Sequence, residues 1–369
     1  MKMIQCSDLH LGAKMMEGLS EYQIAERSDE LLKDFIAMTR YAVNNRIPVC
    51  MICGDLFDSS QPDPELVDKV REAITRAPRV NFYYLKGSSD RDFKGFDQDR
   101  PSNLFVFSNY WEYYTLGNGI TIAGIEPDEE NNMSYYYNLD LYEGLTNIVM
   151  LYGQIAALPG KDLVPTSLLR GKNISYLALG GLHTYMQDYL ESGSAECYCG
   201  CLSGKNFEED GTKGFVLLDI DDEGKITTSF IHDLTKRSYY NIMIDVTGTT
   251  SIIAIRNEIK RMTTSITADD LIRFTLIGEA GENTQIDPLY LKKQLEDSFY
   301  YVEIVNDTHL VLSDHVKFGQ SAKDKFINGV RDSKLSKEDQ DRIINIGLNA
   351  FNLNTAKKVE VRDKKNNFM

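Results

Sequence analysis

Seven short apolar runs set the terms for this chain: MKMIQC, PVCMIC, VNFYYL, ITIAGI, NIVMLY, ISYLAL and GFVLLDI, each bounded by Gly, Pro, Asp or Asn. Runs of that length and content read as buried strands, and buried strands need layers above and below them. The intervening helices are legible too. Tyr22 to Val43 carries Leu31, Leu32, Phe35, Ile36, Tyr41 and Ala42 as a broad apolar stripe, with Glu30, Lys33 and Asp34 expected outside it. A second helix, Pro64 to Arg76, opens with acidic groups at its positive end. Strands alternating with helices early, then strands in succession, predict a mixed α/β (α+β) sheet packing rather than a plain doubly wound fold.

The pattern changes after DLTKRS. From Tyr239 it reads strand (YYNIMIDV), helix (SIIAIRNEIKRM), strand (LIRFTLIG), helix (LYLKKQLEDS) and strand (YYVEIV), a compact unit of its own. The expected domains are therefore 1–235, a small α/β unit at 236–312, C-terminal helices at 313–354 and a basic, polar tail at 355–369. The second C-terminal helix opens at Ser336 with Asp339 three residues on, and carries Ile343, Ile344, Ile346, Leu348 and Phe351. Composition adds exclusions. Lys plus Arg number 40 against 55 Asp plus Glu, a formal charge of −15. Such a surface repels a polyanion, so contact with DNA would need a local patch, a metal or a basic partner. No apolar run approaches the ~20 residues of a membrane span. The opening MKMIQCSDLHLG lacks the features of an export signal. Six cysteines in 369 residues then fit reduced thiols and a cytoplasmic setting.

The chemistry-bearing residues stand where the apolar runs stop. The first run ends in Ser7-Asp8-Leu9-His10, the second in Gly54-Asp55-Leu56-Phe57-Asp58, and the third in Gly87-Ser88-Ser89-Asp90. Later runs end in Leu151-Tyr152-Gly153 and Gly180-Gly181-Leu182-His183. Carboxylates and imidazoles at strand ends converge on one rim of a sheet, where a divalent cation can gather them. That donor mixture suits Mn, Fe or Zn better than Mg alone.

With these motifs in this order, the sequence resembles the calcineurin-like metallophosphoesterases, and specifically the SbcD-type DNA exonuclease subunits. The resemblance rests on DLHLG, GDLFD, the G-x-x-D turn, and G-x-x-H followed by KGFVLLDID, and covers about residues 1 to 235. It implies a two-sheet sandwich flanked by helices, a small α/β capping domain and C-terminal helices. It also implies two cations bridged by a carboxylate, which polarise a phosphate diester and generate a hydroxide nucleophile. Carried over residue by residue, Asp8, His10 and His183 hold the first ion and Asp55 bridges to the second. The other half departs from the family pattern. Ser88 stands where the second ion's amide would be, and Ser89 in place of the catalytic, proton-donating imidazole. Tyr152 and Gly181 replace two further histidines. A hydroxyl, a phenol and a bare glycine are poor substitutes, and serine cannot donate a proton near neutral pH as histidine does. The expectation is one divalent ion, Mn foremost, no second ion, and weak or lost catalysis. Asp58 and Asp90 are expected to orient loops and ligands rather than bind metal.

Blander readings compete elsewhere. Cys50 and Cys53 are three apart on one strand, hence on opposite faces, and read as small hydrophobes. Cys197, Cys199 and Cys201 alternate along one face, but a thiolate cluster there lacks a fourth ligand. Tyr110 to Tyr114 and Tyr135 to Tyr137 have no interleaved basic residues, and packing suits them better than base stacking. Three functional readings stay open. One is an SbcD-like DNA repair exonuclease subunit with impaired turnover. The second is a catalytically inactive binding and assembly module for an SbcC-like coiled-coil ATPase, docked through the C-terminal helices, for DNA, or for a second copy in a homodimer. The third is a single-metal phosphodiesterase acting on a small substrate, for which Lys86 and Asp90 are the nearest proton donors.

Overall fold

A computed structural model describes residues 1–126, 133–156, 162–232, 234–249, 251–281, 286–311, 322–337, 339–344 and 346–347. It divides into two compact units, Met1–Tyr240 and Asn241–Met369. The acidic stretch 127–130, Leu348, Phe351 and the basic tail at 355–369 lie outside the described residues, and the C-terminal helices are described only in part.

In the first unit the described residues form two six-stranded sheets. Chain order gives β1 (Lys2–Cys6), β2 (Val49–Cys53), β3 (Asn81–Leu85) and β4 (Leu104–Val106), then β5 (Glu112–Thr115), β6 (Ile120–Gly124) and β7 (Thr146–Tyr152). A small pair, β8 (Gln154–Ala156) and β9 (Leu163–Pro165), precedes β10 (Tyr176–Gly180), β11 (Met186–Tyr189) and β12 (Ala195–Tyr198). The last two strands, β13 (Phe215–Ile220) and β14 (Ile226–Ile231), return to the first sheet. The sheet orders are β14-β13-β1-β2-β3-β4 and β11-β12-β10-β7-β6-β5. Pairing from β1 to β4 is parallel, as is pairing among β6, β7, β10 and β12, while β5, β11, β13 and β14 pair antiparallel.

The two-residue period of a strand explains the layering. Ile148, Met150 and Tyr152 of β7 face the space between the sheets, with Met51, Cys53 and Leu85 opposite. Val149 and Leu151 face the other way, onto Leu169 and onto Tyr136 of α3 (Met133–Tyr137). Cys53 lies in the inter-sheet core, and all six cysteines are buried and free. Burial pushes the thiols of Cys6, Cys53, Cys197, Cys199 and Cys201 up, so they stay protonated. Of the aromatic clusters, Trp111 donates to the Tyr135 carbonyl at 2.6 Å and packs in the outer core, while Tyr110 and Tyr137 are exposed.

In unit 1, α1 (Glu21–Asn44) starts at a capping box between Ser20 and Gln23, and α2 (Pro64–Thr75) starts with Asp63 accepting from the Glu65 N–H. They bury Leu31, Leu32, Phe35, Met38 and Ala42, and Val67, Val70 and Ile74. One expectation fails. Glu30 and Asp34 are buried on α1, not outside its apolar stripe. Glu30 pairs with Arg27 of the same helix and, at 2.9 Å, with Arg237 from the end of the unit. A charge buried against fixed counter-charges does not register in an amphipathic pattern, and one of these partners is 207 residues away.

The second unit holds β15 (Tyr239–Asp245), which begins at the unit boundary, then α4 (Ile252–Met262), β16 (Leu271–Ile277), β17 (Glu279–Gly281) and α5 (Pro288–Leu295). It continues with β18 (Tyr301–Asn306), β19 (His309–Val311) and α6 (Ala322–Arg331). The order β15-β16-β18 makes a three-stranded sheet, and β17 pairs with β19. Ile255, Ile259, Leu291 and Leu295 are the buried faces of α4 and α5. The Ser336 hydroxyl accepts from the Asp339 N–H at 3.1 Å, and Ile344 packs on Ile327 of α6. No described helix is long and apolar enough to cross a membrane.

Candidate metal centre

Parallel strands deliver their C-terminal ends to one rim, so the polar segments that follow β1, β2, β3, β7 and β10 meet there. The segments after β1 and β2 are bonded to each other beyond the strands: Asp8 N–H donates to the Gly54 carbonyl at 3.1 Å, and His10 N–H to the Asp55 carbonyl at 2.9 Å. Asp8, His10 and Asp55 all adopt left-handed backbone, with φ of 51°, 45° and 49°. That region is costly for most residues and is tolerated best by Asn, Asp and His among side-chain-bearing types.

Asp8, His10 and His183 place one ligand atom each within 4.8 Å of the others, the one such group of three or more among the described residues. Asp8 is held by the Gly181 N–H at 3.0 Å and by the Ser7 hydroxyl, and burial raises its pKa. His10 and His183 point their Nε2 atoms at each other, 3.1 Å apart. Each ring has a carboxylate behind it. His183 Nδ1 lies 2.6 Å from Glu209 Oε1, and His10 Nδ1 stands 2.8 Å from Asp58 Oδ1, off the line of a hydrogen bond. Burial works to raise the pKa of Glu209, yet His183 and Lys205 hold it at about 2; the same contact raises that of His183. An ionised Glu209 only accepts, so Nδ1 of His183 carries the hydrogen. Two imidazole nitrogens at that spacing repel unless a proton or a cation stands between them. The spacing is roughly that of two rings on one small cation with bonds of ~2.1 Å. The donors therefore fit a divalent ion, and the carboxylate hydrogen-bonded to His183 matches the usual support of a metal-binding histidine.

Asp55 stands beside this group. Its Oδ2 is 3.7 Å from His10 Nε2 and accepts the Tyr152 O–H at 2.8 Å, while Oδ1 accepts the Ser89 N–H at 2.8 Å. Ser88 Oγ lies 2.8 Å from the Tyr152 oxygen and donates to it, because the phenol hydrogen is committed to Asp55. Burial and the Asp55 charge push the Tyr152 pKa far above its usual value, so the group is a neutral donor. Its ring fills a slot between glycines. A Cβ on Gly54 would stand 2.1 Å from it, one on Gly87 2.6 Å and one on Gly181 3.3 Å. Where the resemblance puts three donors of a second ion there is thus a hydrogen-bonded phenol, a serine hydroxyl and a glycine.

Asp90 organises the third loop. It accepts from Gly87 N–H at 2.8 Å, from Phe57 N–H at 3.1 Å and from the Tyr84 hydroxyl, and burial pushes it up to about 6. Lys86 is paired with Glu126 at 2.9 Å. Glu209 joins the site without any motif in the sequence to mark it. It sits in a one-turn segment, Phe207–Glu209, capped by Asn206, and no strand-end signal marks it.

Residues 1–183 match the sequence profile of the calcineurin-like phosphoesterases. The two-sheet sandwich of the first unit matches the calcineurin-like phosphoesterase fold. Beyond the profile, the chain is similar to the DNA double-strand break repair protein Mre11 of Saccharolobus solfataricus, 23% identical over 267 residues, which are 66% of this chain and 64% of that protein. It is also similar to the Mre11 of Sulfolobus acidocaldarius, 24% identical over 207 residues, 53% of this chain and 52% of that protein. The chain thus spans less than two thirds of either relative. Among solved structures, a dimetal phosphatase from Danio rerio aligns with a TM-score of 0.42 at 10% identity, over 62% of this chain and 98% of that one. The profile match covers the strands β1 to β10, whose C-terminal ends carry the polar loops of the rim.

Proposed function

We propose that this chain is an SbcD- or Mre11-like subunit that handles nucleic acid, with a pocket for one divalent cation and with weak or no phosphodiester cleavage of its own. The observation that supports it is the Tyr152 O–H committed to Asp55 in the half-pocket that a second cation would need. Asp8, His10 and His183 would hold the ion, with Asp55 beside them. Carboxylate and imidazole donors favour Mn, with Fe and Zn as alternatives. A cation there supplies Lewis-acid polarisation of a phosphoryl oxygen. The chain's residues contribute orientation: Glu209 and Asp58 back the two imidazoles, and Gly181 N–H steadies Asp8. What turnover lacks is a proton donor. Ser89 offers only a hydroxyl, Lys86 is paired with Glu126, and Asp90 is occupied by three donors.

The test is metal analysis of the purified chain, with a diesterase assay on DNA in manganese. One tight equivalent and turnover at or near background is the expected result. Two tight equivalents with robust cleavage would overturn the reading. A second reading, an assembly module for an SbcC-like ATPase, draws on Leu335, Ile343 and Ile346, which are exposed apolar side chains near the C-terminal helices. In that case charged residues at Ile343 or Ile346 abolish partner capture, whereas Asp55→Ala leaves it unchanged.

A further inference from the structure

Asp55 is 1% exposed, so both of its oxygens need partners within the protein. The Ser89 N–H serves Oδ1. Oδ2 receives one hydrogen bond, from Tyr152, and its remaining lone-pair direction is left for the side on which His10 Nε2 stands at 3.7 Å. Two features show that this donor is built in. The ring occupies a slot that side chains at Gly54 or Gly87 would close. The hydroxyl oxygen is itself held by Ser88 at 2.8 Å.

We propose that Tyr152, steadied by Ser88, is the positioning residue that turns Asp55 toward the first-ion pocket, its O–H standing in for the charge that a second cation would supply. The inference rests on the one-cation reading above. A carboxylate shared by two cations has both sides neutralised. With one cation, the far side would be a buried, bare charge, free to rotate. A hydrogen bond from a neutral donor to an ionised oxygen is among the stronger kinds. It restrains the carboxylate without adding a competing charge.

Tyr152→Phe keeps the ring in its slot and removes only the donor. With the full chain, Mn²⁺ titration by calorimetry should show affinity weakened by about 10- to 100-fold, as for other groups that orient metal ligands. The visible absorption bands of the Co²⁺-loaded protein should shift, while the melting temperature and circular dichroism of the ion-free protein stay close to wild type. Ser88 is exposed, so Ser88→Ala can be made without disturbing the core. It should weaken binding several-fold, and have no further effect in the Tyr152→Phe background. Wild-type affinity and an unchanged Co²⁺ spectrum in Tyr152→Phe overturn this inference while leaving the one-cation reading in place. A wild-type chain that takes up two cations, or none, overturns that reading instead.

Discussion

Each histidine at the rim is only as well aimed as the carboxylate behind it. Glu209 reaches His183 at 2.6 Å from a short turn anchored by the Lys205 N–H at 2.8 Å. Glu209→Gln should therefore weaken Mn²⁺ binding by about 10- to 100-fold with little change in fold, measured by titration and circular dichroism. A second prediction concerns Asp34, buried on α1 with Oδ2 lacking a hydrogen-bond partner. Burial pushes it up to about 7, against the pull of Ser203 and Arg27. In the unfolded chain it ionises near ~4, so the folded state binds the extra proton between the two values. Stability from this group is present below ~4 and is lost as pH rises through about 7. Asp34→Asn should raise the melting temperature relative to wild type at pH 8 and not at pH 4; an equal difference at both would refute the burial argument. At this scale the sequence was informative where chemistry coincides with strand ends: Asp8, His10 and His183 meet in space. It was silent on Glu209, which belongs to no such end. It named Tyr152 but not its partners, because the slot is made by glycines from three separate loops.

Helices and strands were legible for a simple reason: their apolar periods are imposed by burial. α1 and α2 run Glu21–Asn44 and Pro64–Thr75, within a residue of the expected bounds, and each apolar run contains one strand. Pairing is another matter. Nothing local in FVLLDI says that β13 lies antiparallel beside β1, and the short strands β4, β8 and β9 carry too few residues to show a period. Caps do act locally, and that of α1 is testable. Ser20 accepts from the Gln23 N–H, while the Gln23 side chain returns to the Ser20 N–H at 3.0 Å. Ser20→Ala should cost about 1 kcal/mol in urea denaturation, with an unchanged slope.

Across the whole first unit, distant parts of the chain are fastened by charge. Arg237, 4% exposed, reaches Glu30 at 2.9 Å and Glu26 at 3.0 Å, tying the unit's last segment to its first helix. Arg237→Ala leaves Glu30 with Arg27 as its remaining buried counter-charge, and should lower the unfolding free energy by about 1–3 kcal/mol in denaturant titration. Another long-range tie lies within the first sheet, where β1 is flanked by β2 and by β13. On a ribosome adding ~5–20 residues per second, β13 emerges about 210 residues after β1, roughly 10–40 s later. Through that interval one border of the nascent β1 is an open template for any passing extended peptide. Placing the first strand in the middle of its sheet should therefore make synthesis chaperone-dependent until residue 220 has cleared the exit tunnel.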